Sequence, residues 1–238
     1  MLANRLLEHV LSFSLKGVQL PEGVGILDPF SGEHGSEVKR IVTEFHRKFY
    51  SDAQPRLLML GINPGRLGAG STGLSFTDTK RCVSDLGIAV SGMRTHEPSS
   101  DFFYRMIRAA GGAKAFYGKV YVHAICPLGF VKLGANGSIT NLNYYDDADL
   151  ERAVTPFVEG WLRNVVNCGM RRDAVIIIGT GKNAAFFGRL NERLGLFREV
   201  RSLEHPRYVM QYKAKQLDAY IRRYLDALDD LSARRTAG

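Results

Sequence analysis

Apolar residues recur at three- and four-residue intervals over 2–14, 36–49, 100–110, 147–167, 182–194 and 213–231, the spacing that loads one face of an α-helix. Between these stretches lie four short runs of apolar, β-branched or aromatic residues. They are RLLMLGI at 56–62, KVYVHAI at 119–125, DAVIIIG at 173–179 and FREVRSL at 197–203. Each is short enough to be a buried strand. Helices alternating with buried strands predict a parallel sheet covered on both faces. No repeat, low-complexity segment or long linker interrupts the pattern. The expected architecture is α/β, a single domain over 1–238 with a four-stranded parallel sheet flanked by helices. SARRTAG at 232–238 reads as a frayed tail.

Something unusual follows each strand. The first runs into GINPGRLGAGSTGLSF at 61–76, which holds five glycines, one proline and one asparagine. Glycine is the default where a ligand approaches the main chain or where φ turns positive. The second strand runs into the loop CPLGFVKLGANGS, the third into GTGKNA and the fourth into EHPRY. Four loops at one sheet edge thus carry a glycine-rich turn, Asn63, His205 and several cations. The carboxyl ends of the strands in an open α/β sheet are where such groups converge on a cleft.

Composition narrows the classes. At 45% hydrophobic residues the chain can bury a proper core. A net charge of +8 and a pI near 9.5 suit an anionic partner, and equally a solvated basic surface. Cys82, Cys126 and Cys168 stand more than forty residues apart with no C-x-x-C. This argues against a disulfide framework, a zinc site or a cysteine-ligated iron–sulfur cluster, and for a reducing compartment. MLANRLLEHVLSFSLKGV reads as an amphipathic helix and not a signal peptide. No apolar run approaches the ~18 residues of a membrane span. A cytoplasmic protein with no membrane partner is expected.

GTGKNA at 179–184 fits G-x-G-x-x-A between a strand and a helix, with Glu199 twenty residues beyond its first glycine, as in a dinucleotide site. It follows the third strand, whereas that fingerprint normally opens the first βα unit. A humbler role is that Thr180, Lys182 and the helix N-terminus hold a phosphate. Nor is it a Walker loop, because Ile176 and Asn183 stand where glycine and Ser/Thr belong. Taken singly, Asn63 is a turn residue, His205 a structural histidine, Phe76 core and Arg207 a solvated cation.

Together their spacing is specific. GINPGRLGAGSTGLSF resembles the first motif of the single-strand-selective monofunctional uracil-DNA glycosylases, a family within the uracil-DNA glycosylase superfamily. Asn63, Pro64, Gly65, Thr72, Gly73 and Phe76 fall in register with it. VHAICPL at 122–128 is similar to the family's V-H-N-x-C-P-L, and EHPR to its second motif, which begins His-Pro. The resemblance spans about 56–212. Two departures stand out. The family's H-P-S-P-R is shortened to His205–Pro206–Arg207, and its pyrimidine-reading asparagine falls on Ala124.

The resemblance implies hydrolysis of the N-glycosidic bond of a deaminated base in DNA, as in base excision repair, with the base flipped out or taken from a single strand. It implies a monomer that needs no metal and no cofactor. His205 then donates to the carbonyl oxygen of the leaving base, with the main-chain N–H of Ile62 or Asn63 as second donor. Asn63 orients the attacking water. Phe76 stacks on the base, and Gly65 leaves room for it, so the loop is bare because a base and its sugar lie against it. Thr180, Lys182 and Arg207 are placed for phosphates or for filling the gap in the helix. No motif lysine is positioned for a Schiff base, so no strand cleavage is expected. Ala124 implies a site less strict about uracil and open to xanthine or hypoxanthine, unless Asn136, Asn141 or Asn143 restores the contact. Two other readings remain: a catalytically silent single-strand-binding module, and a dinucleotide enzyme.

Overall fold

Each of the four apolar runs forms a strand, and the four lie side by side in one parallel sheet. The computed structural model describes residues 1–12, 17–134 and 137–233. Its first half runs α1 (Leu2–Ser12), β1 (Val24–Leu27), α2 (Gly35–Phe49), β2 (Arg56–Gly61), α3 (Ala69–Thr72), α4 (Thr79–Ser84), α5 (Pro98–Ala109) and α6 (Ala113–Tyr117). Then come β3 (Val120–Ala124), β4 (Gly129–Leu133), β5 (Ile139–Leu142), α7 (Ala148–Asn167), β6 (Met170–Ile178), α8 (Lys182–Leu194), β7 (Glu199–Leu203), α9 (Pro206–Tyr212) and α10 (Leu217–Ala233).

The parallel sheet has the order β3-β2-β6-β7. All six residues of β2 are buried, as a central strand covered on both faces requires. Helices supply that cover through apolar stripes such as Val38, Ile41, Val42 and Phe45 on α2, and Leu150, Val154, Val158 and Leu162 on α7. α7 starts where Asp147 accepts from the N–H groups of Asp149 and Leu150, both at 2.9 Å. The α/β class with its four-stranded parallel sheet is therefore as the hydrophobic pattern predicts.

Three local expectations are corrected. The stretch after β3, read as a loop, contains β4, which pairs antiparallel with β1 and β5 in a second, three-stranded sheet. β1 and β5 are four residues each and largely uncovered, too short for alternation to register. The helix expected over 213–231 begins instead at Leu217. A separate helix, α9, opens at the His205–Pro206 step, and Lys213 breaks the path between them at φ −130°. The helix expected over 2–14 ends at Ser12, and residues 13–16 and most of the expected tail lie outside the described residues.

Strand order locates the site. β3 is added on one side of β2 and β6 on the other, so the chain leaves the carboxyl edge in opposite directions there, and a crevice opens at that point. Gly61 and Ala124 are partners at the ends of β2 and β3. The ladder continues past them through Ile125 N–H to Gly61 O at 3.0 Å and Cys126 N–H to Ile62 O at 3.1 Å. On the other side Gly179 N–H reaches Leu203 O at 2.7 Å.

Candidate active site

A cleft of about 410 Å³ opens at this edge, and Ile62, Asn63, Gly65, Phe76, Ala124, His205 and Arg207 all line it. Thr180 and Lys182 line a neighbouring hollow that shares Ile62, Asn143 and His205 with the first. The sequence residues are thus brought together, with Thr180 and Lys182, two of the three phosphate candidates, one step to the side.

The glycine loop folds back on itself through Gly68 and Gly70, whose N–H groups donate to Gly65 O at 3.2 and 2.9 Å. Its five glycines serve different ends. A Cβ at Gly61 would come 3.0 Å from Phe76 Cζ, one at Gly68 2.2 Å from Glu97 Oε2, and one at Gly70 2.7 Å from Gly65 O. Gly73 closes α3 in the left-handed region at φ +71°, where a Cβ would also meet Val42 Cγ2 at 2.6 Å. Only at Gly65 would a Cβ meet nothing closer than Asn141 Nδ2 at 3.6 Å, an ordinary contact. The expectation that a base and sugar account for the whole bare loop is therefore corrected: packing accounts for four glycines and leaves Gly65 alone for a ligand.

Phe76 alone among the described non-glycine residues has a positive φ, 54°. Such strain persists only where the surroundings hold it. Here Phe103 stacks on the Phe76 ring with centroids 4.6 Å apart, and Gly61 leaves room at its edge. The His205 ring lies 5.6 Å from that of Phe76, so the two form one wall.

Asn63 is held at both ends of its amide. Nδ2 donates to Leu142 O at 3.1 Å, and Oδ1 accepts Tyr144 N–H at 3.2 Å. Tyr144 in turn donates its hydroxyl to Asn183 Oδ1 at 2.7 Å, and Asn183 Nδ2 donates to Ile178 O at 3.0 Å, which ties the asparagine to the end of β6. A carbonyl oxygen has two lone pairs, so Asn63 Oδ1 keeps one for a further donor. The antiparallel sheet that carries Leu142 is therefore part of the site, a contribution that hydrophobic periodicity does not reveal.

His205 caps α9 with its ring: Nδ1 accepts Arg207 N–H at 3.1 Å. Burial first, and the Arg207 guanidinium second, lower its pKa to about 4. The ring is neutral at pH 7 with its proton on Nε2, a hydrogen-bond donor that carries no charge. Ala124 is buried, with its main-chain O accepting from Trp161 Nε1 at 3.3 Å, and it presents only a methyl group to the cleft. Asn141 also lines the cleft, with Oδ1 on Arg66 N–H at 3.2 Å, whereas Asn143 is tied to Asp146 Oδ2 at 2.9 Å. Asn136 lies outside the described residues. Arg207 and Lys182 have no ion-pair partner among the described residues.

Sequence reasoning missed Glu97. It precedes Pro98 at the start of α5, an ordinary helix opening, and it lines the cleft opposite the glycine loop. Asp78 places it, with Oδ2 accepting Glu97 N–H at 3.0 Å and Ser100 Oγ–H at 2.8 Å.

A family model for the uracil DNA glycosylase superfamily matches residues 47–229. The chain belongs to that superfamily. The solved structure of wild-type SMUG2 from Pedobacter heparinus is similar to it, with 43% sequence identity, a TM-score of 0.94 and 98% of each chain covered. No curated protein sequence matches the chain. Superfamily membership agrees with the four-stranded parallel sheet. Among the described residues no group of three or more His, Cys, Asp or Glu could hold a metal ion, and no helix is long and apolar enough to cross a membrane.

Proposed function

We propose that this chain is a monofunctional DNA glycosylase of base excision repair that hydrolyses the N-glycosidic bond of a deaminated base. It acts as a cytoplasmic monomer without metal or cofactor. The observation that carries the reading is the pairing, in one cleft, of a neutral His205 whose proton sits on Nε2 with an Asn63 whose amide is locked in place.

A base inside the stack is out of reach, so the target nucleotide enters the cleft flipped out or from a single strand. Phe76, backed by Phe103, offers the stacking surface, and Gly65 the bare main chain beside it. As the bond breaks, charge accumulates on the base oxygen and the sugar becomes oxocarbenium-like. His205 Nε2–H donates to that oxygen, with the main-chain N–H of Ile62 or Asn63 as second donor. Asn63 Oδ1 holds the water that attacks C1′. An amide is a poor base, and that suffices when bond breaking precedes attack. Arg207, Lys182 and Thr180 neutralise or bond backbone phosphates.

Ala124 shapes the substrate range. An asparagine there would pair with N3–H and O4 of uracil, whereas a methyl group reads neither and leaves space that a purine can use. Xanthine and hypoxanthine are therefore within range, and Asn141, which lines the same cleft, is the side chain assigned to restore a contact. The test is incubation of oligonucleotides carrying uracil, xanthine or hypoxanthine with enzyme and EDTA, followed by alkali. Alkali-labile sites at the lesion support the reading. Breaks without alkali, or activity that EDTA abolishes and a divalent ion restores, refute it.

A further inference from the structure

The carboxyl of Glu97 has no structural employment. It makes no capping bond to α5, although the residue stands at the N-cap. Its Oε2 is buried and has no hydrogen-bond partner among the described residues. A buried polar atom without a partner is rare and points to a role outside the fold. The group is aimed into the cleft that holds Asn63, Phe76 and His205. It lies over Gly68 so closely that a Cβ there would stand 2.2 Å from Oε2 and 2.8 Å from Oε1. Part of the glycine loop is thus bare to accommodate this carboxyl.

Its electrostatic surroundings favour the acid form. Burial first and Asp78 second raise its pKa to about 7, against the opposing pull of Arg207. Asp78 faces it from the start of α4, where His96 lies 3.4 Å from the Asp78 carboxylate, and Arg207 faces it from α9. Arg66, the neutral His205 and His123, whose pKa burial lowers to about 3, complete the charged and titratable lining. The phosphates of a bound strand add negative charge and push the proton further onto the carboxyl. Two groups in one cleft, displaced in opposite directions, commonly divide hydrogen-bond and proton donation between them.

A purine and a pyrimidine leave differently. Charge on departing uracil gathers on its oxygens, whereas a departing purine also offers N7, which a pyrimidine lacks. We propose that Glu97 is a catalytic acid for purine release, its carboxylic O–H donating to N7 of xanthine or hypoxanthine as the glycosidic bond breaks. The C1′–N9 electron pair departs with the base while the Glu97 proton passes to N7. Water then bonds C1′ through oxygen, and the proton it sheds restores the carboxyl. The inference rests on the glycosylase reading and extends it to a substrate class.

The experiment compares single-turnover release of uracil, xanthine and hypoxanthine by wild type and by Glu97→Gln and Glu97→Ala. Glutamine keeps an N–H donor but has no proton to give. Both variants should melt near wild type, because the carboxyl bonds to nothing. In each, the purine-to-uracil rate ratio should drop on the order of 10²-fold, the scale of one general acid. The wild-type pH profile is a readout that needs no variant: with DNA bound, purine release should decline as pH rises above about 7, and uracil release should not follow it. Equal losses on all three bases, an unchanged ratio, or parallel pH profiles would overturn the inference. A wild type that releases uracil and no purine also overturns it and leaves the glycosylase reading standing. One that releases no base at all defeats the reading itself.

Discussion

The main-chain N–H of Arg207 donates to Nδ1 of His205 at 3.1 Å, and that bond fixes which ring nitrogen carries the proton. With its pKa lowered to about 4, the imidazole reaches pH 7 neutral and still a donor. His205→Ala should therefore slow base release by roughly 10²–10³, the scale of one lost oxyanion donor. Asn63→Ala should slow the same step, and neither change should alter affinity for an abasic strand. Single-turnover rates and binding curves check both, and a variant at full rate would strip its residue of the role.

Gly65 and Gly73 should respond differently to alanine. Gly73 sits at φ +71° with Val42 2.6 Å from any added Cβ, so Gly73→Ala should cost about 1–3 kcal/mol of stability. At Gly65 the nearest atom is 3.6 Å away, so Gly65→Ala should melt like wild type yet lose base release. Thermal melts beside rate measurements separate the two. A fully active Gly65→Ala would mean that no ligand uses the space.

Ala124→Asn should raise the preference for uracil over xanthine and hypoxanthine by about 1–3 kcal/mol, the penalty for an unpaired buried polar group. Relative rates on the three bases measure it. If wild type already releases uracil alone and the substitution changes no ratio, Ala124 does not set specificity.

Affinity for DNA should fall linearly in log Kd against log salt, because lysines and arginines displace counterions. Arg207→Ala and Lys182→Ala should each weaken binding to every sequence alike and reduce the slope by about one. Fluorescence anisotropy at several salt concentrations reads both effects. A salt-indifferent affinity would assign the +8 charge to a solvated surface.

Acid should destabilise the fold ahead of its carboxylates. His46 and His205 are lowered to about 4 and His123 to about 3, all chiefly by burial, and His9 is lowered as well. Below about pH 6.5 the unfolded chain takes up protons that the folded chain refuses, so stability falls with pH until the folded values are reached. Glu97, raised to about 7, works in the opposite sense, and one group is outnumbered by four. Urea midpoints at pH 7, 5.5 and 4.5 should fall in that order. A flat series would mean that the histidines are open to protons.

What was legible in the sequence follows from chain-local physics. RLLMLG reads as a buried strand because all six residues are covered, and Asn63 and His205 stand out because each lies two residues past a strand end. The sheet of β1, β4 and β5 was invisible, since its strands are short, β1 and β5 are mostly uncovered, and the pairing of β1 with β4 is non-local. The reasons for the glycines were also hidden: Gly68 is bare because of Glu97, twenty-nine residues away in the chain, and Gly73 because of Val42 on another helix. Glu97 could not be found, because its significance lies in what its carboxyl fails to bond.

The most direct measurement is mass spectrometry of the products from one turnover on a lesion-bearing oligonucleotide, wild type beside His205→Ala and Asn63→Ala. The account predicts free base and an intact strand that has exchanged that base for a hydroxyl, formed quickly by wild type and slowly by both variants. An unaltered oligonucleotide, a broken strand, or products formed equally fast by all three proteins would contradict it.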